Sequence, residues 1–527
     1  MRADKRMRAE FGDFQTPIGL AREVCSLIAR TGFRPACILE PTCGTGSFVQ
    51  AALEAFPDVS RVLGFDLNQG YVEKARAAVR AVSSNANVEI RHCDFFQTNW
   101  TEIVAELPQP ILILGNPPWV TNAQLGALGS NNLPSKSNID NLRGIDALTG
   151  TSNFDISEWM LRKNIEWLQG KSGMLAVLCK ASVARKVLTF AWQKSVPIAS
   201  AALYRVDAKR HFGAAVDACL LLVRTDAAGR TNECSDYGSL HDQRPISMFG
   251  LRDRMLVADI SAYERWRNLA APGLSGWRSG IKHDCSKVFE LRLHNGRLVN
   301  ALGELVDVED EYLFPMLKSS DLAANRQPRL WMLVPQRTMD DNTIRLQRDA
   351  PKTWRYLEAH SRLLDRRASS IYKTRPRFSV FGVGPYSFAP WKVAISGLYK
   401  KLDFVLVSPF QNHAVVLDDT CYFFPCQSQG EAELLHQCVR SNPAIEFWSS
   451  LVFWDSKRPI TARLMNLLDL AALARVLGKE CDAARILAER QLVEYSDYSH
   501  QYLLFREDAP GYGSDSLQIE ACVHAGA

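Results

Sequence analysis

Strand-like runs recur through the first 230 residues of the chain. They occupy residues 36–39, 61–65, 88–92, 111–115, 173–178 and 219–223. The segment 49–53, which follows the first run, is helix-like, and strands that alternate with helices are typical of α/β proteins. The pattern predicts a doubly wound parallel sheet in a first domain that spans residues 1–230.

A polar segment at residues 225–232 is typical of a linker between domains. We therefore predict a second domain of mixed α+β class at residues 231–527. Apolar positions recur at helical spacing between residues 461 and 487, which predicts a helical C-terminal part. Residues after 509 are expected to fray.

Polar side chains end four successive predicted strands. They are Glu40, Asp66, Asp94 and Asn116. The carboxyl ends of parallel strands meet at one edge of a sheet, where α/β proteins bind ligands. After the first strand, Gly44 and Gly46 precede a helix start, so the backbone can approach a nucleoside closely. The third glycine of the dinucleotide fingerprint is missing, and Glu40 suits a ligand with an ammonium group rather than a pyrophosphate.

The second and third strand ends also suit a nucleoside. Asp66 lies about twenty residues beyond the glycines, where an acid usually grips ribose hydroxyls. Asp94 and the adjacent Phe95 could hold an adenine amine and its ring face. A strand-terminal aspartate is also commonly a helix cap, so the interpretation depends on all four strand ends occurring in order.

The fourth strand runs into Asn116-Pro117-Pro118-Trp119. The asparagine oxygen and the carbonyl between the prolines can both accept hydrogen bonds from an exocyclic amine, and the indole can stack on a flat ring. Asn-Pro-Pro alone is also an ordinary turn. The upstream strand ends are what favour a catalytic interpretation.

Together these elements resemble the gamma class of adenine-N6 DNA methyltransferases, which use S-adenosylmethionine and usually belong to restriction-modification systems. The family begins with a Thr-Pro element, matched here by Thr16-Pro17, and the other elements follow in the family's order. Two residues depart from the commoner pattern: Trp119 replaces Tyr or Phe, and Asp66 replaces Glu. The resemblance implies a Rossmann-like S-adenosylmethionine-dependent methyltransferase domain followed by a mixed α+β target-recognition domain.

The resemblance also implies roles for individual residues. Cofactor contacts would come from Thr16, Glu40, Thr42, Gly44, Gly46, Asp66, Asp94 and Phe95. The catalytic set would be Asn116, Pro117, Pro118 and Trp119. Trp119 and Phe212 would stack on an adenine flipped out of the duplex, although Phe212 could equally be a core residue.

Composition and charge bear on where the protein acts and on what it binds. The chain has 527 residues and a net charge of +5, which is too mild to indicate nucleic-acid binding by itself. No apolar run reaches the roughly 18 residues needed to span a bilayer, and no signal-like segment follows the N-terminus, so we expect a cytoplasmic protein without a membrane partner. The 13 cysteines include no close Cys-x-x-Cys pair and suit a reduced core, so we expect no metal site.

Positive charge is concentrated between residues 362 and 401, where Asp365 is the sole acid and aromatic residues are interleaved. This pattern suits contact with DNA phosphates, although a charge run is usually a solvated face. Residues 279–289 and 378–386 resemble the target-recognition domains of the family. The predicted DNA-binding residues are Lys136, Lys282, Arg366, Arg367, Lys373, Arg375, Arg377, Lys392 and Lys400.

The stretch 121–152, which contains Lys136, follows the Asn-Pro-Pro-Trp motif and is rich in Asn, Gly and Ser. It is long for a loop in a compact domain. We interpret it either as a DNA-facing loop that orders on binding or as plain disorder.

Three functional interpretations are open. The first is a site-specific DNA adenine methyltransferase that acts on double-stranded DNA as a monomer, with a cognate restriction endonuclease as a candidate partner. The second has the same chemistry on RNA or on a protein glutamine amide, and the basic C-terminal region argues against it. The third is a modification subunit of a larger restriction complex, a non-catalytic DNA-binding subunit, or a restriction enzyme with a fused methylase. An intact Asn116 motif disfavours a non-catalytic subunit.

Overall fold

The computed structural model describes residues 14–120, 155–227, 229–270, 276–456 and 458–482. The chain divides into two compact units, of which the first reaches Leu256 and the second begins at Val257. The predicted loop at 121–152 with Lys136, the end of the predicted helical region and the predicted frayed end lie outside the described residues.

The first unit is built on a ten-stranded sheet. Its strands are β1 (Cys37–Glu40), β2 (Arg61–Asp66), β3 (Asn87–His92), β4 (Ile111–Gly115), β5 (Gly173–Lys180), β6 (Ile198–Val206), β7 (Ala218–Thr225), β8 (Glu233–Tyr237), β9 (Ser247–Arg252) and β10 (Met255–Val257). Its described helices are α1 (Ile18–Arg30), α2 (Ser47–Ala55), α3 (Gln69–Arg80), α4 (Trp100–Ala105), α5 (Ile156–Trp167), α6 (Ala181–Gln193) and α7 (Ala208–Phe212). The strand order is β10-β9-β8-β6-β7-β5-β4-β1-β2-β3.

The prediction of a Rossmann-like α/β sheet is confirmed. Strands β3, β2, β1, β4 and β5 are parallel neighbours, and β7 runs antiparallel between β5 and β6. Every residue of β1 and β4 is buried, because crossover helices cover a parallel sheet on both faces. The strand order reverses between β1 and β4, so a ligand site is expected outside their carboxyl ends.

The first unit extends beyond the predicted domain end at residue 230. Strand β8 pairs in parallel with β6, and β9 pairs antiparallel with β8. The chain therefore returns to the same sheet after the polar segment at 225–232. Strand β6 is not among the predicted strands, and β8 is its neighbour in the sheet. These additional strands lie on the side of the sheet away from the strands that carry the sequence motifs.

The second unit is an α+β structure with two sheets. Its strands are β11 (Arg278–Ser279), β12 (Glu290–His294), β13 (Arg297–Val299), β14 (Leu313–Leu317), β15 (Leu330–Leu333), β16 (Trp391–Ser396), β17 (Phe404–Val407), β18 (Val416–Leu417) and β19 (Cys421–Cys426). Its described α-helices are α8 (Ile260–Trp266), α9 (Ser286–Phe289), α10 (Ser319–Ala323), α11 (Leu346–Asp349), α12 (Pro351–Ala359), α13 (Ser361–Leu364), α14 (Gln429–Val439), α15 (Asn442–Ser449), α16 (Ala462–Met465) and α17 (Leu470–Val476).

One sheet of the second unit has the order β11-β19-β16-β17, and its neighbouring strands are antiparallel. The other has the order β13-β12-β15-β14-β18, with a parallel pair at β14 and β18. Helices α16 and α17 fall within the predicted helical region. Among the described residues, no helix has both the length and the apolar character needed to cross a bilayer.

Candidate active site

A pocket opens in the first unit where β1, β2 and β4 end. Its empty volume is about 840 Å³, including space open to solvent. The predicted site residues that line it are Thr16, Glu40, Thr42, Gly44, Asp66, Phe95, Asn116 and Pro118. The structure thus brings together residues as far apart in the sequence as Thr16 and Pro118. The predicted residues outside the lining are Gly46, Asp94, Pro117, Trp119 and Phe212.

The turn between β1 and α2 holds both predicted glycines at positive φ, +52° for Gly44 and +86° for Gly46. A Cβ on Gly44 would lie 2.5 Å from the side-chain oxygen of Gln15, and a Cβ on Gly46 would lie 2.9 Å from the Cβ of Ala75. The positive φ strains a side chain at either position, and at Gly46 a Cβ would also meet the helix of Ala75. Gly44 keeps the pocket wall thin, whereas Gly46 lets the start of α2 pack closely against α3.

Glu40 ends β1 with only 2% of its surface exposed. The backbone N–H of Val49 donates a hydrogen bond to its carboxylate, whereas Oε2 has no hydrogen-bond partner among the described residues. Burial, reinforced by the negative charge of Asp66, raises the pKa of Glu40 well above its usual range. A buried carboxylate oxygen without a partner suits a cationic ligand group, because pairing would offset the cost of burying the charge.

Asp66 ends β2 and braces the glycine turn. Its Oδ2 accepts a hydrogen bond from the backbone N–H of Gly44 at 2.8 Å, and its Oδ1 accepts from the N–H of Asn68 at 2.8 Å. A carboxylate has about four lone-pair sites. Asp66 therefore holds the turn from a position in the pocket lining.

The structure places Asp94 in a turn rather than in the pocket wall. Its Oδ1 accepts from the backbone N–H of Phe96 at 2.9 Å, which is the local backbone-capping role that aspartate often plays after a strand. The neighbouring Phe95 does line the pocket. Its ring packs 5.1 Å from Trp100 and 5.7 Å from Trp167, measured between ring centroids, so the wall at Phe95 is rigid and aromatic.

Asn116 follows β4 with its amide held in one orientation. Its Nδ2 donates to the backbone oxygen of Phe14 at 3.0 Å. Its Oδ1 is buried and has no partner among the described residues. Leaving a buried acceptor unsatisfied costs about 1–3 kcal/mol. The site therefore presents a fixed oxygen acceptor that a ligand amine could satisfy.

Trp119 and Phe212, predicted as a pair, lie in contact with Phe14. Ring centroids are 5.2 Å apart for Trp119 and Phe212, 5.8 Å for Phe14 and Trp119, and 6.1 Å for Phe14 and Phe212. The Trp119 indole N–H donates to the backbone oxygen of Leu178 at 3.3 Å. We call Phe14, Trp119 and Phe212 the aromatic trio. Phe14 lies just before the Thr-Pro element, yet no sequence signal gave it this role.

Lys180, which no motif marks, ties Trp119 to the start of α5. Its Nζ donates to the backbone oxygen of Trp119 at 3.3 Å and to Asp155 Oδ2 at 2.5 Å. Asp155 also accepts from the backbone N–H of Ser157 at 3.1 Å, which caps α5. The Trp119 main chain is thus fixed by a charge-assisted bond. A lysine at a strand end is too common to be noticed in sequence, so only the tertiary contact reveals it.

No protein-family model matches the chain. The chain is, however, 42% identical over 476 residues to the type II methyltransferase M.NspV of Nostoc sp. strain ATCC 29411 / PCC 7524, and the match covers 90% of this chain and 99% of that protein. The chain belongs to the type II methyltransferases. A shorter match, 32% identical over 120 residues, covers 23% of this methyltransferase and 27% of the type II methyltransferase M.CvrRI of Paramecium bursaria Chlorella virus XZ-6E.

Among solved structures, the methyltransferase is similar to the type IIL restriction-modification enzyme MmeI in complex with DNA. The TM-score is 0.51 at 13% sequence identity, and the superposition covers 94% of this chain and 71% of that one. At this identity the similarity shows a shared fold.

The predicted DNA-binding residues of the methyltransferase's second unit differ in accessibility. Arg366, Lys373, Arg377 and Lys400 are exposed, and Lys282, Arg367 and Arg375 are partly exposed. Arg377 pairs with Asp365 at 2.9 Å. Arg367 donates to the backbone oxygen of Ser379 at 2.6 Å, and its guanidinium lies 3.7 Å from the ring centroid of Tyr372. Arg367 thus stabilises the structure of the segment that contains Tyr372 and Ser379.

The prediction that Lys392 binds DNA is wrong for this structure. Its side chain is fully buried in β16, and its Nζ donates to the backbone oxygen of Ala389 at 2.5 Å. Burial lowers the pKa of Lys392 to about 7. Residues 392–396 of β16 are all buried, on both faces of the strand, so a phosphate does not reach this lysine on either face.

Proposed function

We propose that this type II methyltransferase is a site-specific adenine-N6 DNA methyltransferase of the gamma class. Its second unit would be the target-recognition domain, and its substrate would be double-stranded DNA. The observation that carries the proposal is the buried Oδ1 of Asn116, which has no hydrogen-bond partner in the described part of the chain. It lies beside a pocket where Glu40 Oε2 also lacks one there. We also propose that the protein is a cytoplasmic monomer. A cognate restriction endonuclease would act on the same DNA site.

The pocket's donors and acceptors fit S-adenosylmethionine. Glu40 would pair with the ammonium of its amino-acid part, and Asp66 would accept from its ribose hydroxyls. Phe95 would cover the adenine face, with Thr16 and Thr42 in the same pocket wall. When bound, the cofactor supplies an electrophilic methyl group on a sulfonium centre.

Asn116 would prepare the amine that receives the methyl group. The lone pair of an aromatic amine is delocalised into the ring, which makes the nitrogen a poor nucleophile. Two acceptors, Asn116 Oδ1 and the Pro117 carbonyl, would hold its two hydrogens and favour a tetrahedral nitrogen. Because the hydrogen bond to Phe14 already fixes the Asn116 amide, little reorganisation is needed, and alignment supplies much of the rate.

A duplex adenine must leave the base stack before it can meet Asn116. Flipping costs a few kcal/mol, and stacking on an aromatic side chain returns about 1–3 kcal/mol per base. Under the proposal, the aromatic trio would supply this stacking beside Asn116. Lys180 would help by holding Trp119 in place when the base arrives.

The test is to incubate the purified protein with unmodified genomic DNA and S-adenosylmethionine carrying an isotope-labelled methyl group. Hydrolysed nucleosides are then identified by mass spectrometry. We expect the label in N6-methyladenine. Label in a cytosine would contradict the proposed base, and label in added RNA or in a protein glutamine, but not in DNA, would contradict the substrate.

Two variants make the result specific to the site. Asn116→Ala should lose the signal while it still binds S-adenosylmethionine, which shows that it is folded. Asn99→Ala is the matched control, because Asn99 is exposed and its side chain makes no cap hydrogen bond at the start of α4. It should transfer methyl groups at the wild-type rate.

A further inference from the structure

The second unit carries a two-stranded ribbon formed by β12 and β13. Arg292 pairs with Val299 and His294 pairs with Arg297 across the ribbon. Asn295 and Gly296 form the tip with φ of +49° and +76°, as a tight hairpin turn of the Asn-Gly type requires. Residues 292–297 are exposed without interruption. On the β12 edge, pairing to the rest of the sheet stops at Glu290 and Leu291, which pair with β15. On the β13 edge, Val299 forms an antiparallel bridge with Leu305 at the base of the ribbon.

The ribbon has a basic face and an apolar face. Directly paired residues share a face, and successive residues alternate between faces. Arg292, His294 and Arg297 therefore lie on one face, and Leu293 and Leu298 lie on the other. Leu293 is 62% exposed.

Positive charge on the basic face is not neutralised within the described part of the chain, where Arg292 and Arg297 have no carboxylate partner. The acids closest in sequence are already paired. Glu290 binds Lys318 at 2.6 Å, Glu304 binds His360 at 2.6 Å, and Asp307 binds Lys352 at 2.9 Å. By contrast, Arg377 of the predicted basic region is paired with Asp365.

We propose that this ribbon, residues 290–299, enters the major groove of duplex DNA with its basic face toward the DNA. The major groove, about 12 Å wide, admits a two-stranded ribbon. The forked donors of arginine match phosphate oxygens and the O6 and N7 edge of guanine. The inference rests on the proposed function and deepens it, because it assigns DNA contact to a segment outside the basic region at 362–401.

The test compares the wild type with the double variant Arg292→Gln/Arg297→Gln. The probe is a labelled duplex that carries a sequence methylated by the wild type, and its dissociation constant is measured at several salt concentrations with S-adenosylhomocysteine present. We expect the constant to rise roughly tenfold or more for each arginine. The slope of its logarithm against the logarithm of salt concentration should fall by about one for each arginine that pairs with a phosphate in the wild type.

The control is Arg348→Gln/Arg355→Gln, which removes the same charge from exposed positions of the same unit. It should bind the duplex as the wild type does, and both double variants should keep wild-type cofactor affinity and thermal unfolding. If the ribbon variant is unstable, the single variants Arg292→Gln and Arg297→Gln replace it, each with roughly a tenfold loss of affinity expected.

The other outcomes overturn either the ribbon proposal or the proposed function. A folded ribbon variant with wild-type DNA affinity would overturn the ribbon proposal and leave the proposed function intact. An equal loss of affinity in the control would also overturn it, because bulk charge would then explain the effect. A wild type that methylates no DNA would overturn the proposed function, and the ribbon proposal with it.

Discussion

The pocket of the first unit and the basic region of the second differ in what determines where their polar side chains lie. Most motif residues of the first unit line one pocket. In the basic region, Lys392 is buried, and Arg367 donates a hydrogen bond to the backbone oxygen of Ser379. Residues at the ends of parallel strands must converge, because topology brings those ends to one edge. A run of charges has no such constraint, and a charge within a strand that is buried on both faces, as Lys392 is in β16, lies in the core.

Of the substitutions below, the replacement of Asn116 in the pocket is expected to have the largest effect on methyl transfer. Asn116→Ala deletes the preorganised acceptor, and losing one such hydrogen-bond partner typically lowers kcat by about 10²–10³-fold. Cofactor affinity should stay near the wild-type value, since Glu40 and Asp66 are untouched. Single-turnover transfer to duplex DNA and calorimetric cofactor binding would measure the two effects separately. A variant that transfers at the wild-type rate would place the active site elsewhere.

Glu40→Gln should weaken cofactor binding by about 10–100-fold, the value of one hydrogen bond to a charged group. In the wild type the pKa of Glu40 is raised in the fold by burial and by Asp66. Protonated Glu40 therefore contributes to the stability of the unliganded protein. This contribution is fully present below the unfolded-state pKa of Glu40 and is lost as pH rises through its folded pKa.

An ammonium ligand favours the ionised Glu40, so cofactor affinity should increase with pH through that same window. Calorimetric titration at several pH values would show this, and Glu40→Gln should remove the dependence. The matched control is Glu54→Gln, because Glu54 is an exposed acid that pairs with Arg22 outside the pocket. The same pH dependence in both variants would show that Glu40 is not the titrating group.

Lys180→Met should lower the transfer rate roughly tenfold, because it removes a charge-assisted bond to the Trp119 main chain. Lys180→Arg should restore part of the rate, since arginine can reach similar acceptors. A positioning role predicts a change in kcat with little change in KM or in cofactor affinity. Equal losses in kcat and thermal stability for both variants would instead indicate a purely structural role.

Lys392→Met should leave DNA affinity and transfer unchanged, which is the smallest effect on function. It should stabilise the fold on the order of 1–3 kcal/mol, because an apolar side chain removes the cost of burying the amine. The folded pKa of about 7 lies below the unfolded value, so wild-type stability falls as pH drops from the unfolded pKa to about 7 and then levels off.

The gain in stability of Lys392→Met should follow the same course, with its full size near pH 7 and below. Denaturant unfolding at neutral and alkaline pH would measure it. Lys373→Met, at an exposed position, is the companion variant, and under the proposed function it should weaken DNA binding. If Lys392→Met weakened DNA binding as much, the distinction between buried and exposed charge would be wrong.

The parallel sheet and the strand-end residues could be predicted from the sequence because local patterns mark both. Phe14 and Lys180 could not, because their roles arise from hydrogen bonds to Asn116 and Trp119 across the fold. For Asp94 the cofactor role stays a prediction, and its Oδ1 accepts a hydrogen bond from the backbone N–H of Phe96; one sequence pattern is typical of both a ligand residue and a turn residue. Strand β8 follows a polar, linker-like segment, and pairing with β6 rather than any local signal places it in the sheet.

The most direct test of the central claim is a map of modified adenines. Unmodified genomic DNA is treated with wild type or with Asn116→Ala in the presence of S-adenosylmethionine and then read by sequencing that detects N6-methyladenine. The account predicts one sequence motif modified throughout by the wild type and none by the variant. Unmodified adenines after treatment with wild-type protein that demonstrably binds the cofactor would contradict it.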